Sequence, residues 1–374
     1  MLVDEATGEE KWRVQAHDGA VCVAMTPDGR FVASMGSGDG HWRLWDAESG
    51  ELDWVNAMHN GTGPCLCEDL DEWGEDRLVN AGCPVVGHSG CLLALSFSPL
   101  GQKIATRDSN GAVIVWDVEN REAAPMETLA RFHEEGDLEP NYEYTSLSFS
   151  ADGARIASGD GFNFMQIWDV LTGAELDNSA RNALHAEMGR LFVDIVTQVA
   201  FSPTEDWKDA IAGSGTLQLW DDVHGELLRE FPNCGQIAVF SPDGRAIATD
   251  SGARSVGKLV DAESGEVLFR MVGHTHDITA IAFSVPDGSK LASVCGGADG
   301  GADGTCKVWD SSTGALLRTI NLGMSVTSVS WGRDWVRDTQ TAIAFAMGNH
   351  PRLGAGSQVL EHEVGVVRMI LDRV

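Results

Sequence analysis

Phe283-Ser284-Val285-Pro286-Asp287-Gly288, followed by Leu291-Ala292-Ser293, Val308-Trp309-Asp310 and Thr313-Gly314, is the passage that decides the fold. An apolar run closes on a Pro, which fixes φ, and on Asp-Gly, which supplies a residue tolerant of φ > 0, so the chain reverses in a hairpin turn. Leu291-Ala292-Ser293 is a short apolar run of the kind a buried strand presents. Val308-Trp309-Asp310 ends a third strand, and Thr313-Gly314 turns the chain into a fourth. One passage therefore reads as four consecutive strands.

The same passage recurs along the chain. Its ending stands at Leu44-Trp45-Asp46, Val115-Trp116-Asp117, Ile167-Trp168-Asp169, Leu219-Trp220-Asp221, Leu259-Val260-Asp261, Val308-Trp309-Asp310 and, degraded, Val359-Leu360-Glu361. Successive acids are 71, 52, 52, 40, 49 and 51 residues apart, a floor near 40 with insertions added, which is the period of four-stranded propeller blades. The turn recurs at Met25-Thr26-Pro27-Asp28-Gly29, Phe97-Ser98-Pro99-Leu100-Gly101, Phe149-Ser150-Ala151-Asp152-Gly153, Phe201-Ser202-Pro203 and Phe240-Ser241-Pro242-Asp243-Gly244. The expectation is an all-β, seven-bladed propeller of four-stranded antiparallel blades in one domain spanning 1–374. The blades fall near 17–55, 88–130, 144–176, 195–231, 235–271, 274–320 and 324–370. Residues 56–86, 121–143 and 177–194 are loop insertions.

These residues resemble the WD40, or β-transducin-like, repeat family over nearly the whole chain. The resemblance implies a buried hydrogen-bonded tetrad per blade: a His between blades, a Ser or Thr on the second strand, an Asp before the third and the Trp on it. His17, Ser34, Asp39 and Trp45 fit that pattern, as do His274, Ser293, Asp303 and Trp309. His88, Thr106 and Trp116 fit with Asn110 replacing the acid. Blades four and five depart from it, because no Asp precedes Trp220 and Val260 replaces Trp. Unpartnered buried polar groups are costly, so those two blades are expected to be the least rigid.

The chain ends pose a closure problem. Leu2-Val3-Asp4-Glu5-Ala6-Thr7-Gly8-Glu9 reads like Leu259-Val260-Asp261-Ala262-Glu263-Ser264-Gly265-Glu266, which makes residues 1–16 an outer strand without its own blade. Closure of the ring by this N-terminal strand is favoured over closure by the segment from Val364 to Ile370, on the reasoning that one position admits one strand. A fragment of a longer array, the C-terminal propeller of a larger signalling protein, is the rival reading.

Charge and composition narrow the function classes. With 26 basic against 56 acidic residues the net charge is −30, so a polyanion is repelled and nucleic acid is an unfavoured partner. Proteins with basic surfaces or basic peptides are the better match. The acidic start Met1-Leu2-Val3-Asp4-Glu5 lacks the basic-then-apolar run of a secretory signal. No stretch approaches the roughly 18 apolar residues of a membrane helix. A cytoplasmic protein is expected, a nuclear one not excluded, and the eight Cys read as buried thiols rather than a disulfide framework.

Function is sought where the chain departs from the minimal repeat. The first two insertions carry Trp73, Phe132 and Tyr142 among acids that include Glu72, Glu75 and Glu134. Aromatic residues ringed by charge have the composition of interface anchors, so these six are candidates for a partner site on the top face, the end of the ring where the insertions emerge. The plainer reading of the same loops is solvated connection. His59, Cys65, Cys67 and Cys83 include zinc-ligand types, but Cys-x-Cys is too tight for a paired knuckle and no metal is expected. No nucleophile elbow, phosphate loop or metal-binding His-Glu-x-x-His helix is present, and no cofactor is implied. The sequence thus points to a non-catalytic interaction scaffold, with a propeller enzyme built at the central channel as the alternative.

Overall fold

A computed structural model describes residues 2–4, 10–12, 14–15, 17, 20–36, 41–56, 88, 92–109, 112–119, 122–123, 146–159, 165–176, 196–205, 208–213, 215–221, 224–251, 255–296, 304–322, 326–334, 340–347 and 365–371. Two repeated turns build the blades. In the first, between inner and second strand, a hydroxyl donates to the following acid and accepts a backbone N–H five or six residues on. Thr26 Oγ1 donates to Asp28 Oδ1 at 2.6 Å, and Phe31 N–H donates back to Thr26 Oγ1 at 3.0 Å. Ser150 with Asp152, Ser241 with Asp243 and Ser284 with Asp287 repeat the arrangement. The Gly that follows sits at positive φ, 77° at Gly29 and 71° at Gly153, where a Cβ would be strained.

In the second turn, between third and outer strand, the acid of the Trp-Asp ending is the anchor. Asp46 Oδ1 accepts from Glu48 N, Ser49 N and Ser49 Oγ at 3.0, 2.8 and 2.9 Å, and Asp169, Asp261 and Asp310 do the same for their own turns. The residue that makes the repeat visible in the sequence is therefore a turn former. This bonding favours the ionised form, so the carboxyls of Asp169, Asp261 and Asp310 are all held below the usual range.

Six sheets have the antiparallel meander of a blade. Five have four strands, running from inner to outer edge as Ala20–Met25, Phe31–Gly36, Trp42–Asp46 and Leu52–Asn56 in blade one. Blade two has Leu92–Phe97, Lys103–Asp108, Val113–Asp117 and Glu122–Ala123. Blade four has Gln198–Phe201, Lys208–Gly213, Thr216–Asp221 and Glu226–Pro232. Blade five has Val239–Phe240, Ala246–Asp250, Val256–Asp261 and Val267–Val272, and blade six Ile278–Phe283, Lys290–Cys295, Thr305–Asp310 and Leu316–Asn321. Blade three has only Ser146–Phe149, Arg155–Gly159 and Met165–Asp169, with an isolated bridge from Trp168 to Glu175 where a fourth strand would run.

The expectation of seven four-stranded antiparallel blades is corrected by the remaining sheet: there are six blades. The ring is closed instead by a six-stranded mixed sheet in which Val326–Asp334, Gln340–Met347 and Gly365–Leu371 run antiparallel. Leu2–Asp4 lies parallel to Gly365–Leu371, pairing Leu2 with Arg368 and Asp4 with Ile370. Glu10–Trp12 pairs with Leu2–Asp4, and Val14–Gln15 pairs with Gly365 and Val366. Both terminal segments enter the closing sheet, Gly365–Leu371 beside Gln340–Met347 and the N-terminal strands beyond it. The physical reason lies in the sequence after Trp331: Gly332-Arg333-Asp334 has no Pro-Asp-Gly, so the first two strands extend to nine and eight residues. The degraded ending Val359-Leu360-Glu361 lies outside the described residues.

Apolar residues pack between successive sheets. Between blades one and two, Trp42, Trp54 and Trp116 meet with ring centroids 4.8 to 6.3 Å apart, edge-on or tilted as aromatic quadrupoles prefer. Ile320, Val329 and Trp331 join blade six to the closing sheet. Side-chain bonds lace neighbouring inner strands: Val199 N donates to Ser146 Oγ at 2.9 Å, and across the closure Met25 N donates to Ser330 Oγ at 3.1 Å.

Candidate functional site

Three blades hold the buried unit of His, hydroxyl and Trp. In blade one, Ser34 Oγ lies 2.8 Å from His17 Nε2 and accepts from Trp45 Nε1 at 2.7 Å. In blade two, Thr106 Oγ1 lies 2.6 Å from His88 Nε2 and accepts from Trp116 Nε1 at 2.7 Å. In blade six, Ser293 Oγ lies 2.8 Å from His274 Nε2 and accepts from Trp309 Nε1 at 2.9 Å. Asp39, Asn110 and Asp303, the remaining positions of these units, lie outside the described residues.

The histidines differ in tautomer. Arg43 Nη1 hydrogen-bonds His17 Nδ1, and a guanidinium only donates, so Nδ1 carries the lone pair and Nε2–H donates to Ser34. In blade two the buried carboxylate of Asp108 stands 3.2 Å from His88 Nδ1, a contact that falls short of a hydrogen bond. That acid draws the ring proton to Nδ1, which leaves Nε2 to accept from the Thr106 hydroxyl.

Where the pattern is broken, other groups occupy its place. In blade three no described His meets Ser158. Arg107 of blade two reaches across instead, its Nη1 donating to Ser158 Oγ at 2.6 Å and to the Gly159 carbonyl. In blade four Trp220 Nε1 donates to Gln218 Oε1 at 3.3 Å. In blade five the buried Asp250 accepts from Gln236 N at 2.6 Å and Ile237 N at 2.9 Å, while Lys258 Nζ donates to the Asn233 carbonyl. Acid and Lys thus pin the crossing turn from blade four into blade five. A Cβ at Gly235 would lie 1.8 Å from Asp250 Oδ2, so the turn needs Gly there. Burial pushes the nearby Cys234 thiol up, Lys258 opposing and Asp250 reinforcing the shift. Sequence reading missed Arg107, Asp108, Gln218, Asp250 and Lys258. Their signals were a charged pair directly after Thr106 and a polar residue two positions before Trp220 and Val260.

The candidate partner residues Glu72, Trp73, Glu75, Phe132, Glu134 and Tyr142 lie outside the described residues, as do His59, Cys65, Cys67 and Cys83. Among the described residues no group of three or more His, Cys, Asp or Glu could hold a metal ion, and no helix is long and apolar enough to cross a membrane. The inner wall is plain. One residue before the close of each blade's inner strand stand Ala24, Ser96, Ser148, Ala200, Val239 and Ala282, and Ser330 stands before Trp331 in the closing sheet. Up to Trp331, the described inner strands carry no Asp, Glu, His, Lys, Arg or Tyr.

The family model of the WD domain, G-beta repeat, matches residues 8–46, 82–117 and 265–310, three stretches that contain the three His-bearing units or their Trp-Asp endings. These stretches are WD40 repeats. WD repeat-containing protein 1 of Gallus gallus is 26% identical over 272 residues, covering 69% of this chain and 40% of that protein. Apoptotic protease-activating factor 1 of Homo sapiens is 31% identical over 177 residues, covering 43% of this chain and 14% of that protein. The chain therefore spans well under half the length of these WD40 relatives. The solved structure of U3-55K superimposes with a TM-score of 0.68 over 96% of this chain and 97% of that one, at 16% identity, a likeness of fold. WD40 propellers generally act as protein-interaction scaffolds and bind other proteins, and the fold is typically non-catalytic.

Proposed function

We propose that this WD40 ring is a non-catalytic scaffold that holds other proteins in a multiprotein complex, with the top-face insertions as its main docking ground. The observation that carries this reading is the inner wall. An enzyme built at the channel needs several acids or a His converging on one point, and up to Trp331 the described inner strands carry apolar and uncharged polar side chains. The buried Asp250, Lys258 and Arg107 are engaged in crossings between blades.

A net charge of −30 supports partners with basic surfaces over nucleic acid. The buried free thiol of Cys234 supports a reducing setting, cytoplasmic or nuclear. The relatives are longer than this chain, which supports use of the ring as one module of a larger assembly. Partner capture tests the proposal: the intact chain is compared with a variant whose residues 56–86 and 121–141 are replaced by short Gly-Ser links. Loss of specific partners from a variant that still melts cooperatively is the expected result. Identical captures would remove the top-face assignment.

A further inference from the structure

Because each blade is a meander, the first and second turns of every repeat emerge on one face, opposite the insertions. Two side chains there break the pattern that the repeat itself sets. Leu100 takes the place held by Asp28, Asp152, Asp243 and Asp287 in other blades, and Leu171 the place held by Glu48, Glu119 and Glu263. They are the two most exposed large apolar residues described, at 77% and 87%. The other exposed ones, from Leu52 to Leu317, lie on outermost strands.

The two leucines stand on adjoining turns of neighbouring blades. A Cβ at Gly153 would lie 3.5 Å from Pro99 Cδ, which sets the first turn of blade three against that of blade two. Val170 N then donates to the Ala154 carbonyl at 2.8 Å, joining that turn to the one bearing Leu171. Neither Leu serves the fold. At position 100 it removes the carboxylate that receives the turn hydroxyl in the sister turns, although Lys103 N still donates to Ser98 Oγ at 3.0 Å. At position 171 the turn uses only its backbone N–H, donated to Asp169 at 3.1 Å. The adjoining turns and strands carry Asp28, Asp117, Glu119, Asp152, Asp169 and Glu175 against Arg30, Lys103 and Arg155, and Lys103 lies across a strand pair from Asp117 and Arg155 from Asp169.

We propose that Leu100 and Leu171 form an apolar docking spot for a basic amphipathic segment of another protein, whose apolar side chains cover the leucines while its Lys or Arg residues meet the surrounding acids. Exposed apolar area supplies the contact, and the acid excess selects a cationic partner over a neutral one. The spot lies on the face opposite the insertions, so it stands independently of the top-face reading.

The probe is a labelled 18-residue peptide of Leu and Lys at helical spacing, with a control in which Ser replaces every Leu. Fluorescence anisotropy at physiological salt compares the intact chain with the L100D/L171E variant, which installs the acids that other blades already carry and so preserves the fold. The intact chain should bind the Leu-Lys peptide about tenfold more tightly than the control, and the variant should lose that margin. The added charges act the opposite way, since two more acids alone would tighten binding of a cation. L171E alone, at a position outside the turn's side-chain bonding, should lose about threefold, and the chain trimmed of its insertions should bind like the intact one. Unchanged or tighter binding by the variants would overturn the proposal. Sedimentation showing self-association of the intact chain that L100D/L171E abolishes would also overturn it, in favour of a second copy.

Discussion

A hydroxyl on the second strand decides whether a blade's buried polar groups are satisfied. Ser293 accepts from Trp309 and sits against His274, so Ser293→Ala leaves two buried groups without their partner. The expected loss is about 1–3 kcal/mol, read as a lower urea midpoint with unchanged slope. At the turns, the Ser312 and Thr313 hydroxyls and backbone amides hold the Asp310 carboxyl down, to about 2. A lowered folded pKa stabilises the ring above the unfolded carboxylate pKa, and that stability is lost as pH falls through the folded value. The Asp310→Ala variant should therefore differ from the intact chain at pH 5 and converge with it toward pH 2, as followed by thermal melting.

At the scale of elements, blade one against blade two is the most aromatic junction described. Trp42 is almost fully buried between Trp54 and Trp116, so Trp42→Ala should cost about 3–5 kcal/mol in chemical denaturation. The crossing from blade four to five depends on a different chemistry. Asp250→Ala removes the acceptor of two backbone amides, and hydrogen exchange should show Gln236 and Ile237 losing protection while the Ser34 and Ser293 units keep theirs. These two junctions mark what was legible. Trp45, Ser34 and His17 could be read because each stands at a fixed offset from a turn whose residues have only one conformational use. Asp250 and Arg107 could not, because each sits one residue beyond the periodic hydroxyl and acts on a neighbouring turn or blade. Their roles come from packing between blades, which no strand pattern encodes.

At the scale of the molecule, the sequence pattern overcounted by one blade because the closing sheet repeats the inner strand but not the turn that follows it. Val326–Asp334 continues past Trp331 where every blade would reverse, and the parallel pairing of Leu2–Asp4 with Gly365–Leu371 departs from the antiparallel blade pattern. Removing residues 1–16 should expose the edge of Gly365–Leu371 and lower the melting temperature, with added light scattering from edge-to-edge association. The candidate top-face residues were legible only as composition, since insertions carry no repeat to place them.

Closure by both ends has a mechanical consequence. Leu2–Asp4 and Gly365–Leu371 run in the same direction, so tension applied through the two termini pulls the paired strands past each other lengthwise. Bonds loaded in that way share the force and break together, whereas antiparallel neighbours pulled from one end unzip in turn. In single-molecule stretching from Met1 and Val374, this ring should yield in one high-force event before its blades peel away.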